Sequence, residues 1–181
     1  YLRGPRGTGF LYARRATTAH IEPVFLDNHA AQWTDDKAYT TRDDARRFEN
    51  WERYFAGVIG LKVAADQANE LGIEAIWARL RVQADGLRAR LSTLKGVTLT
   101  DLGKLKGAIV TFAVAGADHV ALRDKLRAQA INVSVSTQFS SRLDLKRRGL
   151  TNVLRASVHV YNTEAELDRF VEVLAAYSAA A

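Results

Sequence analysis

The second half of the chain constrains the fold most, because it alternates β-branched segments with amphipathic ones. Four segments rich in Val, Ile and Thr are typical of strands: residues 97–100, 108–114, 131–136 and 154–160. Residues 117–130 and the segment from Asn162 onward instead show the apolar spacing of helices, and residues 137–150 are polar and irregular. Residues 96–181 are therefore predicted to fold as strand–strand–helix–strand–loop–strand–helix, a compact α+β domain.

The last helix has a recognisable beginning. Thr163 is followed three residues later by Glu166, the spacing of a capping box, in which each side chain bonds the other residue's backbone N–H. Four apolar residues then form one face of the predicted helix: Leu167, Phe170, Val171 and Leu174.

The first half of the chain has too few strands to close a sheet. Residues 10–13 are a short apolar run and predict one buried strand, whereas residues 14–45 show little periodicity. Two helices follow, from Asp43 to Leu71 and from Ile73 to Leu94, with Gly72 as the cap between them. A single strand has no partner within this half. We therefore interpret residues 1–95 as the final part of a larger folded unit.

Composition excludes several classes of protein. Of 181 residues, 48% are apolar and 25% charged, which is typical of soluble domains. No run of about 18 apolar residues predicts a membrane span, and the net charge of +6 forms no basic stripe for nucleic acid. The absence of cysteine excludes a disulfide framework and a Cys nucleophile in this stretch. The same absence makes a cytoplasmic location the expected one. The four histidines lack metal-ligand spacing, so no metal is predicted.

The opening Gly4-Pro5-Arg6-Gly7-Thr8-Gly9 is rich in glycine, but it matches no phosphate-binding motif. No Gly-Lys-Ser/Thr follows the glycines, and the third Gly of a dinucleotide fingerprint is missing. Tight turns and close backbone approach are the favoured explanation of these glycines.

Two arginine positions allow two interpretations each. Arg155 interrupts an apolar strand, and alternation places it with Ser157 and His159, opposite Leu154 and Ala156. It either faces solvent or binds an anion, since a guanidinium matches a carboxylate with two parallel hydrogen bonds. The pair Arg46-Arg47 begins a predicted helix, where it is either solvated or lines a site for an anionic ligand.

Three segments resemble one known family. These are "YLRGPRGTGFLY", "RDDARRFENWE" and "VLRASVHVYNTEAELDRF". In this order they resemble the C-terminal portion of class V aminotransferase-type enzymes, which are pyridoxal-phosphate enzymes of fold type I and include cysteine desulfurases and isopenicillin epimerase-like proteins. The resemblance implies an α/β fold in which residues 1–60 end the large cofactor-binding domain. Residues 61–95 would be interdomain helices, and residues 96–181 the C-terminal α+β small domain.

The resemblance also implies roles for individual residues. Arg155 matches the arginine that grips the substrate α-carboxylate, and the Schiff-base lysine is expected immediately before Tyr1. Residues 27–51 match segments near the active sites of a tight homodimer, where a Gly-Thr pair commonly contacts the partner's cofactor phosphate. In this sequence Asn50 and Trp51 occupy positions near that of the Gly-Thr pair, and they are the expected contacts to the cofactor phosphate. The segment from Ser134 through Ser136 to Leu145 matches one close to the substrate pocket.

The expected activity is that of an aminotransferase acting on an amino acid and a 2-oxo acid, with pyridoxal 5'-phosphate as cofactor. One alternative is a pyridoxal-phosphate-dependent C–S or other β-lyase, or an epimerase. The other is a non-catalytic α+β module for dimerisation or ligand sensing. Cysteine desulfurases carry a persulfide-forming Cys on a loop of the C-terminal domain. The loop "STQFSSRLDL" has none, which disfavours desulfuration through a protein cysteine. Without the lysine and upstream half, the 181 residues are expected to be inactive alone.

Overall fold

The computed structural model describes residues 1–178 and divides the chain into two compact units, Tyr1–Glu70 and Leu71–Ala181. The elements that begin in the first unit are helix α1 (Arg15–Thr18), strands β1 (Ala31–Asp35) and β2 (Ala38–Thr41), a 3₁₀ turn (Ala45–Phe48) and helix α2 (Phe55–Leu71). The two strands form an antiparallel hairpin with Trp33 opposite Tyr39. Helix α2 is uninterrupted across residue 60, and the domain boundaries expected at residues 60 and 95 stay predictions.

Three expectations for the first unit are wrong. Residues 10–13 form no strand, and Phe10 is 81% exposed, because no other strand of this unit pairs with them within the described residues. The segment expected to be irregular contains the β1–β2 hairpin. The helix predicted from Asp43 is only a 3₁₀ turn that Asp44 caps by accepting the Arg46 N–H, and the regular helix begins at Phe55.

The second unit has four helices and one sheet among its described residues. Its elements are α3 (Ile73–Ser92), β3 (Val97–Leu99), β4 (Ile109–Val114), α4 (His119–Ala128), β5 (Ser134–Thr137), α5 (Arg142–Arg147), β6 (Asn152–Ser157) and α6 (Glu164–Ser178). The strands lie in the order β3-β4-β6-β5 and every neighbouring pair is antiparallel. Gly72 has a φ of +84°, which suits glycine between α2 and α3.

One face of this sheet packs against α3, α4 and α6. The buried residues of this core include Leu87, Leu91, Val110, Phe112, Leu122, Leu126, Leu154, Ala156, Leu167, Phe170 and Leu174. The rings of Phe112 and Phe170 lie 6.0 Å apart, in contact across the sheet and α6. Burial of this size is the dominant favourable term in folding. The apolar face predicted for the last helix is confirmed, since Leu167, Phe170 and Leu174 are buried and Val171 is partly buried against the same core.

The predicted capping box is present. The Thr163 N–H donates to the Glu166 carboxylate at 2.8 Å, and the Glu166 N–H donates to the Thr163 hydroxyl at 3.3 Å. These two bonds satisfy backbone donors that the first turn of α6 leaves without an intrahelical partner.

Helix α5 and some strand bounds differ from the predictions. Residues 137–150, expected to be irregular, contain α5, whose Leu145 is buried. A helix of six residues with one buried apolar side chain gives no readable periodicity. Strand β6 begins two residues earlier and ends three residues earlier than expected, and β5 begins three residues later. Among residues 1–178, no helix is both long and apolar enough to cross a bilayer.

Arg88 connects α3 to the segment between β3 and β4. Its side chain is 7% exposed and donates to Asp101 at 2.7 Å, to Asp85 at 3.0 Å and to the carbonyls of Gly107 and Ile109. Removing one partner of a buried ion pair leaves the other charge uncompensated, which is costly.

Arg88→Leu is therefore expected to lower the free energy of unfolding by about 3–5 kcal/mol. Arg123→Leu, which breaks an ion pair with Asp124 on the surface, should cost less than about 1 kcal/mol. Urea unfolding followed by circular dichroism measures both. Equal losses for the two variants would show that the buried pair does not hold this segment.

Candidate functional site

Arg155 lies in the middle of β6, between two strands of the sheet. It is directly opposite Thr111 on β4 and directly opposite Ser134 on β5. Residues in such cross-strand pairs point to the same face of a sheet. Its neighbours Leu154 and Ala156 are buried in the core, so Arg155 lies on the face opposite α3, α4 and α6. Strand alternation predicted that Arg155 lies on the face opposite Leu154 and Ala156, and the structure confirms this prediction.

The residues beside Arg155 form a row of hydroxyl groups across the sheet. The Thr100 N–H donates to the Thr111 carbonyl at 2.8 Å, and its hydroxyl donates to the Thr111 hydroxyl at 2.9 Å. The row therefore runs Thr100, Thr111, Arg155 and Ser134, with one charged side chain among neutral ones. We call these four residues the Arg155 row.

The guanidinium of Arg155 is half-buried and has unused donor capacity. Its Nε is buried and has no hydrogen-bond partner within residues 1–178, and no carboxylate of these residues lies within 4.0 Å of its nitrogens. Leaving a buried donor unsatisfied costs roughly 1–3 kcal/mol. A carboxylate is the acceptor that fits a guanidinium best, because two parallel hydrogen bonds form at once. The Arg155 row is therefore chemically suited to bind a carboxylate.

Asn50 and Trp51 lie in the first unit, in the irregular segment before α2. The carboxylate of Asp27 accepts the Trp51 backbone N–H at 2.6 Å, and also the N–H groups of His29 and Ala30 at 2.9 and 3.1 Å. The Asn50 side chain donates to the same carboxylate. These bonds, with that of Trp51 the largest contributor, hold the pKa of Asp27 below its ordinary value.

Asp27 thus joins the chain just before the β1–β2 hairpin to the chain just before α2. The Trp51 indole is left 64% exposed, with its ring edge-on to His29 at 5.9 Å between centroids. Sequence analysis did not find Asp27, because a carboxylate that bonds a backbone N–H 24 residues away leaves no local pattern. An Asp two residues before a turn is a weak signal on its own.

Arg46 and Arg47 each contact a neighbouring residue, and the anion site considered for this pair stays a prediction, since the buried Nε of Arg47 has no hydrogen-bond partner within residues 1–178. Arg46 is paired with Asp44 at 2.6 Å, and this hydrogen bond raises the pKa of Arg46 and lowers that of Asp44. Arg47 is buried and donates to the Thr41 hydroxyl at 2.8 Å, which ties the 3₁₀ turn to β2. Residues 1–178 contain no group of three or more His, Asp or Glu placed to hold a metal ion.

Comparison with known proteins supports the family resemblance. The sequence matches the family described as Aminotransferase class-V over residues 2–170. A probable cysteine desulfurase of Xylella fastidiosa (strain 9a5c) is 32% identical over 174 residues, which cover 96% of this chain and 41% of that protein. The chain thus spans about two fifths of the length of the curated relatives it matches. The prediction of this family is confirmed.

Solved structures show the same fold. The apo cysteine desulfurase of Thermococcus onnurineus NA1 has a TM-score of 0.86 at 23% identity, covering 99% of this chain and 45% of that one. The cystine C–S lyase C-DES, solved with its product cysteine persulfide, has a TM-score of 0.76 at 21% identity, covering 96% and 43%. A Lys-to-Ala mutant of C-DES was solved with glycine covalently linked to its PLP cofactor. The predictions of fold type I and of pyridoxal phosphate as the family's cofactor are confirmed.

The Asp27 contacts predict a local pH dependence. Because the pKa of Asp27 is lowered in the folded chain, its stabilising effect is complete above the ordinary value of about 3.9 and is lost as pH falls through the folded value. The backbone amide resonance of Trp51 should therefore shift on acidification below about pH 4. In Asp27→Asn this transition should disappear, whereas Asp118→Asn, which changes the cap of α4, should retain it. An unchanged titration in Asp27→Asn would show that another group controls the Trp51 amide.

Proposed function

Because the chain belongs to the class-V aminotransferase family, we propose that it contributes to a pyridoxal-phosphate-dependent C–S lyase acting on a cysteine derivative. The curated relatives are named probable cysteine desulfurases, and one structural neighbour is a cystine C–S lyase. These names support cleavage of a C–S bond more than the amino transfer expected from sequence. The single structural observation that carries the proposal is the buried Nε of Arg155, which has no hydrogen-bond partner within residues 1–178 and lies on the sheet face opposite α3, α4 and α6.

Arg155 would bind the α-carboxylate of the substrate. The guanidinium offers more than one donor on one plane, so it fixes the orientation of the carboxylate as well as its position. The hydroxyls of Thr111 and Ser134 lie on either side and add no competing charge. Binding of this kind contributes placement of the bond to be broken rather than chemistry.

The residues of this chain would supply some of the contacts to the cofactor, while the catalytic lysine is expected outside them. Pyridoxal phosphate supplies an electron sink that stabilises negative charge at the substrate Cα. Asn50 and Trp51 remain the proposed contacts to the cofactor phosphate of a partner subunit. Since Asp27 accepts the Trp51 backbone N–H and the Asn50 side chain, the exposed Trp51 indole N–H is the donor left for this contact. The catalytic lysine remains a prediction for the position before Tyr1, and the homodimer remains a prediction as well.

The fate of the sulfur distinguishes the proposed lyase from a desulfurase. In the proposed reaction the Cα–H and Cβ–S bonds break and the sulfur leaves with the electron pair. It takes up a proton, and water completes the conversion of the remaining carbons to pyruvate and ammonia. The chain contains no cysteine, so no thiol of these residues can accept the sulfur. The sulfur would leave on a small molecule.

The reaction class can be tested with the purified holoenzyme and a panel of cysteine, cystine and other amino acids. We expect pyruvate, ammonia and a sulfur product in equal amounts from the sulfur amino acids, without any 2-oxo acid. A strict requirement for a 2-oxo acid, with a new amino acid as product, would show an aminotransferase instead. Racemised substrate without pyruvate would show an epimerase, and a protein without bound cofactor would support the non-catalytic alternative.

Arg155→Ala is expected to raise the KM for amino-acid substrates by roughly 10- to 150-fold, because hydrogen bonds to charged groups contribute about 1.5–3 kcal/mol. Arg155→Lys should recover only part of this loss, since lysine lacks the planar pair of donors. Arg127→Ala removes the same charge from an exposed position on α4 and serves as the matched control. Steady-state kinetics with unchanged KM in Arg155→Ala would refute the carboxylate role.

A further inference from the structure

Residues 3–8, which we call the opening segment, lie along one side of helix α2 within the first unit. The two run antiparallel, with these residues next to each other: Arg3 and Gln67, Gly4 and Leu61, Pro5 and Gly60, Thr8 and Gly57. The opening segment therefore follows about 15 Å of the helix at 1.5 Å per residue. Within it, the Thr8 hydroxyl donates to the Pro5 carbonyl at 2.5 Å and closes a turn.

Two glycines of α2 leave the space that the opening segment occupies. A β-carbon added to Gly60 would lie 2.6 Å from Cγ and 3.2 Å from Cδ of Pro5, and one added to Gly57 would lie 2.6 Å from Cγ2 of Thr8. Non-bonded carbon atoms pack best at about 3.5–4.0 Å. Because the Pro5 ring is closed onto its own backbone, it cannot rotate away. A larger residue at position 60 must therefore displace the main chain of the opening segment.

The same two glycines weaken the helix that contains them. Glycine is less favourable in a helix interior than every residue except proline, and alanine is the most favourable. A helix that only had to be stable would therefore have alanine at Gly57 and Gly60. Their presence indicates that the close approach of the opening segment matters more at these positions than the stability of α2 itself.

The opening segment also contains a residue with a strained backbone. Arg3 has a φ of +57°, in the left-handed region, although it has a β-carbon. Such a residue persists only where its surroundings fix it, and residues of this kind cluster at functional sites. Here the Arg3 side chain donates to the Gln67 side chain at 3.5 Å, and the next two residues pack on α2. Helix α2 thus fixes the direction in which the chain runs from Arg3 back to Tyr1.

We propose that Gly60, together with Gly57, is a positioning residue for the catalytic lysine, because the opening segment seated on α2 sets the place of the residue ahead of Tyr1. This inference rests on the proposed function, in which the lysine precedes Tyr1 and binds pyridoxal phosphate. Only four residues then separate it from Pro5. A misplacement of 1 Å can lower a rate about a hundredfold, so a displaced opening segment affects the chemistry. The glycines act through the backbone and not by touching the cofactor.

The test compares the holoenzyme with Gly60→Ala and with Gly86→Ala as the matched control. Gly60 is chosen because Gly57 also lies against Tyr54. Gly86 is inside α3, and a β-carbon there would meet no atom within 4 Å, so the two variants add the same methyl group to a helix with and without a clash. The measurements are the visible absorbance of the lysine-bound cofactor as a function of pH, and steady-state kinetics.

Gly60→Ala is expected to lower the lysine-bound fraction of the cofactor, to shift the pH at which its absorbance changes, and to lower kcat by roughly 10- to 100-fold. The KM for the amino acid should change by less than about twofold, because Arg155 still binds the carboxylate and the loss lies in the chemical step. Gly86→Ala should leave the absorbance and both kinetic constants unchanged.

Pro5→Ala provides a second arm, because it removes the ring atoms that the new methyl group would meet. The double variant Gly60→Ala/Pro5→Ala is expected to recover most of the absorbance and kcat that Gly60→Ala loses. If Gly60→Ala alone does not fold, as circular dichroism would show, the double variant is compared with Pro5→Ala. The methyl group should then cause no loss.

Normal cofactor absorbance and kcat in folded Gly60→Ala would overturn the inference. An equal loss in Gly86→Ala would do the same, since it would be a general effect of the methyl group on helices, and so would a loss that the double variant does not recover. If the wild-type protein binds the cofactor and the variants behave as expected, but no C–S bond is cleaved, the proposed lyase fails and the positioning role stands. A wild-type protein that takes up no cofactor would overturn both.

Discussion

The pairing of β6 with both of its neighbours is the constraint on which the rest of the second unit depends. Side chains alternate along a strand, so the register that buries Leu154 and Ala156 also places Arg155 on the opposite face. A slip of one residue would put a guanidinium into the core and two apolar side chains into water. The core against α3, α4 and α6 therefore fixes the position of Arg155 more firmly than any contact that Arg155 itself makes.

The two faces of the sheet therefore have different roles, and this explains why the Nε of Arg155 can lack a hydrogen-bond partner. The stability of the sheet comes from apolar burial on the helix-covered face, so the other face is free to hold polar groups that are not optimally paired. The buried Arg88 shows the contrast, since it is fully engaged by two carboxylates and two carbonyls. The buried Arg88 and the half-buried Arg155 thus differ in what surrounds them, and of these two only Arg155 has a buried nitrogen without a hydrogen-bond partner.

Sequence patterns predicted the parts of the fold that depend on local periodicity. The long helices were predicted from apolar residues that recur about every 3.6 positions, and the sheet face of Arg155 was predicted from the two-residue alternation of a strand. The start of α6 was predicted from the Thr163–Glu166 pair. The β1–β2 hairpin was missed because its connection, Asp36-Lys37, lacks the glycine typical of tight hairpins. The interruption before α2 depends on Asp27, whose partner Trp51 is remote in sequence. The carboxylate site followed from family resemblance and strand alternation, whereas the exposure of Phe139 required coordinates.

The turn that follows β5, with Phe139 99% exposed, also changes how the missing cysteine is interpreted. If the loop after β5 only lacked a thiol, an inert polar loop would be sufficient, and the remaining Ser and Thr residues would provide it. The structure instead has an aromatic side chain at the tip of a turn held by backbone and side-chain hydrogen bonds, at the end of the strand that borders Arg155. Exposing a large apolar group to water is unfavourable unless something covers it. The turn therefore places an apolar contact surface, and no thiol, after the strand that pairs with the strand of Arg155.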